Sequence, residues 1–195
     1  MLVGVLGGTF NPVHNGHLAV AQQVCDKLEL DKLLLVPTYA TTVKNSKSIL
    51  PPDERLKMLY MALEDCRRIK NIDKIQISQV DINRNRATYT YDTLIDLHKE
   101  YADAKFYFLL GEDIANDLKS WKNAEKLDKL AKFIIVSRRN IKNTESQYRV
   151  LQIESLPISS NMIRERVANG MQIDNLVPKS VSDYIKKMNF WKEKA

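Results

Sequence analysis

Residues 7–18 read GGTFNPVHNGHL and connect an apolar run, Leu2–Leu6, to a segment that favours a helix, Leu18–Val24. The apolar run predicts a short buried strand. A glycine pair at a strand-to-helix turn lets backbone N–H groups approach an anion, and the following helix N-terminus adds partial positive charge. His14 and His17 stand at this turn and can face the same anion. The segment therefore predicts a phosphate site; a plain tight turn with two structural histidines is the alternative.

A second segment, ISSNMIR at residues 158–164, carries a similar signal near the end of the chain. Serine is a preferred N-cap residue, and Arg164 falls one turn into the predicted helix. The hydroxyls of Ser159 and Ser160, the free backbone N–H groups and the guanidinium of Arg164 can then converge on one anion. The alternative is an ordinary capped helix with a surface arginine.

Strand and helix patterns alternate along the chain. Apolar runs predict further strands at 33–36, 75–80, 106–110, 133–136 and 150–153. Helical patterns lie at 90–101, in the lysine-rich stretch before 133, at 160–168 and at 178–188. Another helix begins near residue 51, and its predicted apolar face consists of Leu56, Leu59, Tyr60 and Leu63.

This order of elements predicts the fold class. Strands separated by helices need crossover connections, so we expect a Rossmann-like α/β fold, a doubly wound, mostly parallel sheet with helices on both faces. We expect one domain over residues 1–195, with a C-terminal helical part at about 160–195. Ligands bind such sheets beyond the carboxyl ends of the strands. That edge should gather the glycine turn, the loops after Pro37 and Gly111, and the turn before Ile163.

Composition and charge narrow the function classes. The net charge of +6 fits a polyanionic partner such as a nucleoside triphosphate. Nucleic acid is the competing partner, but the sequence shows no nucleic-acid motif with spaced aromatic residues, so we expect no nucleic-acid binding. No apolar stretch is long enough for a membrane helix, and we expect a soluble, cytoplasmic protein with no membrane association. Cys25 and Cys66 lie in helical patterns and are expected to be small buried residues.

Weaker signals lie at the same predicted edge. Gly111 closes a strand, and Asp113 follows it, so a nucleoside could approach the backbone while the carboxylate accepts a hydroxyl proton. Thr90 starts a helix, where backbone N–H groups favour an anion and the hydroxyl adds a donor. The structural alternatives are helix caps for Asp113 and Thr90, and a lone tryptophan such as Trp121 is more often a core residue.

Four segments together carry a resemblance to a known family. His14-Asn15-Gly16-His17 resembles the hallmark of the HxGH nucleotidyltransferases, and GGTFNPVHNGHL resembles the bacterial nicotinate-mononucleotide adenylyltransferase branch of that superfamily. ISSNMIR is similar to the family's second signature, ISSTxIR. ATYTYDT at residues 87–93 and GED at residues 111–113 resemble its SYTxDT and GxD segments. The resemblance implies adenylyl transfer from ATP to nicotinate mononucleotide, which gives deamido-NAD and pyrophosphate in NAD biosynthesis.

The same resemblance implies roles for individual residues. The implied catalytic residues are His14, His17 and Arg164. The implied ATP-binding residues are Gly7, Gly8, Thr9, Phe10, Gly16, Gly111, Asp113, Arg138, Ser159 and Ser160. The implied mononucleotide-binding residues are Asn11, Lys44, Thr90 and Trp121. Mg²⁺ is expected to arrive with ATP, because no acidic cluster in the sequence suggests a metal site built by the protein.

The chain departs from the family pattern in places. Relatives usually carry aspartate at the position of Asn11, Pro-Pro-His-Lys where this chain has TTVK at 41–44, and tyrosine at the position of Lys122. Arg55 and Arg84 resemble common basic positions and are candidate contacts. Other acceptors (nicotinamide mononucleotide or phosphopantetheine), cytidylyl transfer and a non-catalytic nucleotide-binding relative are the alternatives. The sequence leaves open the acid or amide form of the acceptor and is compatible with a homo-oligomer.

Overall fold

The computed structural model describes residues 1–40, 48–68, 70–115, 118–137, 148–154 and 156–192. The strands in these ranges are β1 (Leu2–Gly8), β2 (Lys32–Pro37), β3 (Ile75–Ile77), β4 (Lys105–Gly111), β5 (Lys132–Ser137) and β6 (Arg149–Gln152). The helices are α1 (Asn15–Lys27), α2 (Pro52–Asp65), α3 (Val80–Asn83), α4 (Thr90–Glu100), α5 (Glu112–Ala115), α6 (Ala124–Leu130), α7 (Ser160–Ala168) and α8 (Lys179–Met188). Short 3₁₀ helices lie at Ile72–Lys74 and Leu118–Ser120.

The strands form one sheet in the order β3-β2-β1-β4-β5-β6, and every neighbouring pair is parallel. β1 lies inside the sheet, because Leu6 pairs with Leu35 of β2 on one side and with Leu109 of β4 on the other. The chain runs outward from β1 through β2 to β3, and then crosses back to β4. The predicted parallel, doubly wound α/β fold is therefore confirmed.

Helices cover both faces of the sheet. Leu33 and Leu35 of β2 belong to a core that α1, α2, α7 and α8 cover. Leu34 and Val36, which point the other way, belong to a second core beneath α4 and α6. The strands can be apolar on both sides because neither face meets water. Within the described ranges no helix has the length and apolarity that a membrane span requires.

Two predicted elements have different bounds in the structure. The helix expected from Leu18 already begins at Asn15, so the HxGH segment forms its first turn. The strand expected at 75–80 ends at Ile77, because the chain turns into α3 at Val80. The other predicted strands and helices lie within a few residues of their expected positions.

Of the predicted apolar face of α2, Leu59 is buried, Leu56 and Leu63 are half-buried, and the prediction is wrong for Tyr60. Tyr60 is 50% exposed, whereas Arg55 lies on the buried face with Met58, Leu59 and Ala62. The spacing of the buried residues still follows one side of a helix. An arginine occupies a buried position on that side, so the spacing of apolar residues alone does not identify the buried face.

Both cysteines are buried, as the sequence predicted. Burial raises the pKa of the Cys25 thiol to about 11, and it also raises the pKa of Cys66. A thiol with a raised pKa remains protonated at neutral pH, and the protonated form is a poor nucleophile. These residues therefore serve the core, at the places where α1 and the end of α2 pack on the sheet.

Asp81 in α3 is a buried carboxyl group that joins two helices. Its residue is 4% exposed, and its Oδ1 accepts a hydrogen bond from Oγ1 of Thr93 in α4 at 2.7 Å. Burial raises the pKa of Asp81 to about 6, against the opposing effects of the Thr93 bond and the nearby Arg84 guanidinium. Protonation of this carboxyl group is consequently more favourable in the folded protein than in the unfolded chain.

The raised pKa of Asp81 predicts that stability depends on pH. Because the pKa of Asp81 in the folded state lies above that in the unfolded chain, the contribution of Asp81 to the free energy of unfolding is greatest at low pH. This contribution is lost as the pH rises from about 4 to about 6. The two pKa values correspond to a loss of about 3 kcal/mol in the free energy of unfolding. Urea unfolding at pH 4 to 8 should show this slope in the wild type and a flatter one in Asp81→Asn. Identical slopes in the two proteins would contradict the assignment.

Candidate active site

The carboxyl ends of β1, β2 and β4 meet at one edge of the sheet. Gly8 at the end of β1 is paired with Pro37 at the end of β2, and the amide of Thr38 donates to the Gly8 carbonyl oxygen at 3.0 Å. Gly111 ends β4 on the other side. The strand order reverses between β1 and β4, and ligands bind open α/β sheets at such a reversal. The turn after β1 therefore lies where a ligand is expected.

The glycines shape this turn. A Cβ atom at Gly8 would lie 3.1 Å from two ring atoms of Phe10, closer than such atoms normally approach. Phe10 has a left-handed backbone (φ +48°) and a buried ring, which also meets His17 edge-on with 5.0 Å between ring centroids. Gly7 is exposed, and a Cβ there would contact the ring of Phe108 at 3.7 Å. The predicted ATP contact Phe10 thus has its side chain beneath the turn, where it supports Gly8 and His17.

The two histidines of the HxGH segment stack on each other. Their ring centroids are 3.6 Å apart with 24° between the ring planes, and His14 is 3% exposed. The backbone amide of His14 donates to Nδ1 of His17 at 3.3 Å. Because Nδ1 accepts this bond, neutral His17 carries its proton on Nε2 and can donate from that atom. A Cβ at Gly16 would lie 3.0 Å from Nδ1 of His14, so glycine leaves room for the His14 ring.

The start of α7 docks on the same turn. Ser159 caps the helix by accepting a hydrogen bond from the Met162 amide at 3.1 Å. Oγ of Ser160 donates to the Pro12 carbonyl oxygen at 2.8 Å, and Nη1 of Arg164 donates to the Asn11 carbonyl oxygen at 2.8 Å. Burial lowers the pKa of Arg164, although an arginine remains charged at neutral pH. The structure thus brings the two motifs together, as their placement in the predicted sheet implied.

Asn11 and Asn161, where the chain departs from the family pattern, have defined partners. Asn11 is 2% exposed, and its side chain donates to the Ser48 carbonyl oxygen at 2.9 Å and accepts from the Leu50 amide at 3.1 Å. This side chain was predicted to bind mononucleotide, but in the structure its polar atoms hold residues 48–50. Oδ1 of Asn161 accepts a hydrogen bond from Nη2 of Arg164 at 3.0 Å, which orients the guanidinium.

Arg55 holds the turn from the opposite side. Its residue is 1% exposed, and its guanidinium donates to four backbone carbonyl oxygens at 2.6–3.0 Å. These oxygens belong to Thr9, Thr38, Tyr39 and Leu50. Burial lowers the pKa of Arg55. Its buried side chain makes it a support for the turn instead of the ligand contact that the sequence suggested. The signal in the sequence was its helical spacing with Met58 and Ala62.

Trp121 follows the short 3₁₀ helix Leu118–Ser120 and lies against β4. It is half-buried, and its ring meets the ring of Phe108 edge-on with 6.5 Å between centroids. Since Phe108 also lies beside Gly7, one aromatic ring connects Trp121 to the glycine turn. Asp113 falls in α5, the helix that directly follows Gly111, but its side chain is not among those that the structure describes.

The first turn of α4 lies against the Trp121 segment. Thr90 is the first residue of this helix, after the N-cap Tyr89. The ammonium group of Lys122 lies 4.8 Å from the centroid of the Tyr89 ring and 3.2 Å from Oδ2 of Asp92. Lys122 therefore joins the loop that carries Trp121 to the helix start that carries Thr90. Two predicted mononucleotide contacts are thereby brought into one neighbourhood.

Three further candidate contacts are Lys44, Arg138 and Arg84. Lys44 and Arg138 lie outside the described residues. Arg84 forms an ion pair with Asp96 and donates to the Asp92 carbonyl oxygen at 2.6 Å. Its guanidinium thus ties α3 to α4 and supports the first turn of α4.

The chain is similar to known nucleotidyltransferases in sequence and in structure. The family model described as cytidylyltransferase-like matches residues 5–166. A protein of Streptococcus pyogenes serotype M3, named probable nicotinate-nucleotide adenylyltransferase, is 38% identical over 185 residues, which cover 94% of this chain and 85% of that protein. A protein of Streptococcus pneumoniae serotype 4 with the same name is 38% identical over 187 residues, or 95% of this chain and 86% of that protein.

A solved structure matches nearly the whole chain. It is Plasmodium falciparum nicotinic acid mononucleotide adenylyltransferase complexed with NaAD. The TM-score is 0.80 at 26% identity, and the match covers 97% of each chain. The likeness therefore extends over the sheet and the helices that surround it.

The contacts of Arg55 predict a large loss of stability when its guanidinium is removed. Arg55→Met should lower the free energy of unfolding by about 2–4 kcal/mol, because four partly buried carbonyl oxygens lose their donor. Arg67→Met is the matched control, since Arg67 forms an exposed ion pair with Glu64 just after α2. The control should change stability by less than about 0.5 kcal/mol. Urea unfolding measures both, and equal losses would refute the structural role of Arg55.

Proposed function

We propose that the chain transfers the adenylyl group of ATP to nicotinate mononucleotide, because it belongs to the cytidylyltransferase-like family and, within it, to the nicotinate-nucleotide adenylyltransferases. The products are deamido-NAD and pyrophosphate, and the reaction belongs to NAD biosynthesis. One observation carries the proposal: Arg164 and Ser160 bind the carbonyl oxygens of Asn11 and Pro12, each at 2.8 Å. This contact places a helix N-terminus and a guanidinium beside the stacked histidines.

ATP is proposed to bind across the glycine turn and α7. The backbone at Gly7, Gly8, Thr9 and Gly16, together with His14 and His17, would meet the α-phosphate. The N-terminus of α7, with Ser159, Ser160 and Arg164, would bind the β- and γ-phosphates, since backbone N–H groups, the helix dipole and a guanidinium all favour an anion there. Gly111 and Asp113 are proposed for the nucleoside and Arg138 for the phosphates.

Nicotinate mononucleotide is proposed to bind on the other side of the turn. Trp121 would lie against the pyridine ring, and Thr90 at the start of α4 would meet its carboxylate, since helix-start N–H groups favour an anion. Lys44 is proposed as a phosphate contact. Asn11 would act by holding the turn, given its bonds to Ser48 and Leu50.

The proposed reaction is an in-line displacement at the α-phosphorus of ATP. An oxygen of the mononucleotide phosphate forms the new P–O bond, the bond from the α-phosphorus to the bridging oxygen breaks, and pyrophosphate leaves with that electron pair. No covalent protein intermediate is required, so the protein contributes position and charge. Nε2–H of His17 would donate to an α-phosphate oxygen as negative charge develops on it.

Mg²⁺ is proposed to enter with ATP. In the described ranges no three or more His, Cys, Asp or Glu side chains come together as a metal site would require. The phosphate oxygens of ATP would hold the ion, as is common for Mg²⁺. When bound, the ion would neutralise negative charge on the phosphates, and the residues of the turn and α7 would position them.

The proposed role of His17 predicts a defect in turnover. His17→Ala should lower kcat about 10²- to 10³-fold, which is the usual cost of losing one donor to developing negative charge. His98→Ala is a matched control, because His98 is the remaining histidine and contacts Phe106 and the Leu130 carbonyl oxygen, away from the turn. Pyrophosphate release measures both variants. A His17→Ala protein with wild-type kcat would contradict the role.

The acceptor is tested by pyrophosphate release from ATP and Mg²⁺ with three candidates in parallel: nicotinate mononucleotide, its amide form and phosphopantetheine. We expect the highest kcat/KM with the nicotinate form. The acceptor that binds should also raise the Tm, since a ligand that binds only the folded state stabilises it. A preference for the amide would change the acceptor but keep the reaction. Release with phosphopantetheine alone, or with none of the three, would refute the proposal.

A further inference from the structure

We propose that Trp191 is a positioning residue for the mononucleotide side of the active site; this inference rests on the proposed function. The indole Nε1–H of Trp191 donates to the carbonyl oxygen of Ser48 at 2.7 Å. The side-chain amide of Asn11 donates to the same oxygen at 2.9 Å. One carbonyl group therefore joins the C-terminal segment of the chain to the glycine turn.

The backbone after α8 is shaped to bring Trp191 to this place. Asn189 and Trp191 both have left-handed backbones, with φ of +51° and +57°. This conformation is unfavourable for a residue with a side chain and persists where surrounding contacts hold it. Phe190 packs edge-on to Tyr184 of α8 with 5.7 Å between ring centroids, and it also contacts Trp191 at 5.9 Å. The aromatic contacts fix the segment, and the indole N–H then meets Ser48.

Residues 48–50 in turn hold the glycine turn. The amide of Leu50 donates to Oδ1 of Asn11 at 3.1 Å, so Asn11 bonds this segment twice. Arg55 donates to the carbonyl oxygens of Leu50 and Thr9 at 3.0 and 2.7 Å. The side chain of Asn11 is thereby fixed from the side that Trp191 reaches, whereas its backbone carbonyl is bound by Arg164 from the α7 side.

The Trp191 side and the α7 side of the turn would bind different substrates. In the proposed function the α7 side of the turn binds the phosphates of ATP, and the opposite side remains for the mononucleotide. Loss of the Trp191 bond should lower the fraction of molecules in which that opposite side is formed. The apparent affinity for the mononucleotide then falls in proportion to this fraction. The bond from Arg164 to the backbone of Asn11 does not need Trp191, so ATP binding should persist.

The test is Trp191→Phe, which keeps an aromatic ring and removes the N–H donor. We expect the KM for nicotinate mononucleotide to rise about fivefold, with kcat and the KM for ATP changed by less than about twofold. Tyr184→Phe is the matched control. It removes a hydrogen bond from an aromatic side chain of α8 to Glu54 (2.6 Å) but leaves Ser48 untouched, and it should not alter the KM. An unchanged mononucleotide KM in Trp191→Phe, or equal shifts for both substrates, would overturn the proposal.

A second measurement does not depend on activity. Hydrogen exchange at the Leu50 amide reports its bond to Asn11, and it should be faster in Trp191→Phe than in the wild type and in Tyr184→Phe. Unchanged exchange would overturn the positioning role even if the enzyme is active. If the wild type released no pyrophosphate with nicotinate mononucleotide, the proposed function would fail. Faster exchange in Trp191→Phe alone would then still support the link between the C-terminal segment and the turn.

Discussion

The turn between β1 and α1 is held by side chains that bind its backbone carbonyl oxygens. Arg55 binds the carbonyl of Thr9, Arg164 that of Asn11, and Ser160 that of Pro12. A turn entered through two glycines has high chain entropy in the unfolded state, so it needs such contacts to take one conformation. The stacked histidines His14 and His17 come just after Pro12 in the sequence, and their geometry depends on the same turn. Hydrogen bonds from charged donors, typically worth about 1.5–3 kcal/mol each, suit this task.

The two arginines also give the turn its charge. The contacts that place Arg55 and Arg164 at the turn go to carbonyl oxygens, which do not cancel a positive charge as a carboxylate would. Burial lowers the pKa of both side chains, yet each guanidinium remains charged at neutral pH. The electrostatic field at the turn therefore favours an anion, and the partial positive charges at the N-termini of α1 and α7 add to this effect. The same two side chains thus support the turn and give it positive charge.

The departures from the family pattern at Asn11, Asn161 and Lys122 have local physical reasons. An asparagine side chain both donates and accepts hydrogen bonds, and Asn11 uses both capacities on Ser48 and Leu50. An ionised aspartate at that position could accept the Leu50 bond but could not donate to Ser48. Asn161 likewise accepts from Arg164 and donates to Glu165 at 2.6 Å. Lys122 forms an ion pair with Asp92 at the start of α4, so a carboxylate of the protein lies beside its charge.

Sequence patterns alone were enough for the fold and for the two motifs. Alternating apolar strands and helices determine a parallel sheet, and the Ser159 cap and the HxGH turn are encoded by neighbouring residues whose interactions are local. The bonds from Arg55 to Thr9, Thr38 and Tyr39 and the bond from Trp191 to Ser48 were decided only by the tertiary structure. Their partners lie far away in the sequence, and they meet only after strand order and helix packing have placed them. Local periodicity indicates which side of a helix or strand is buried, but a long-range hydrogen bond depends on which other element packs against that side.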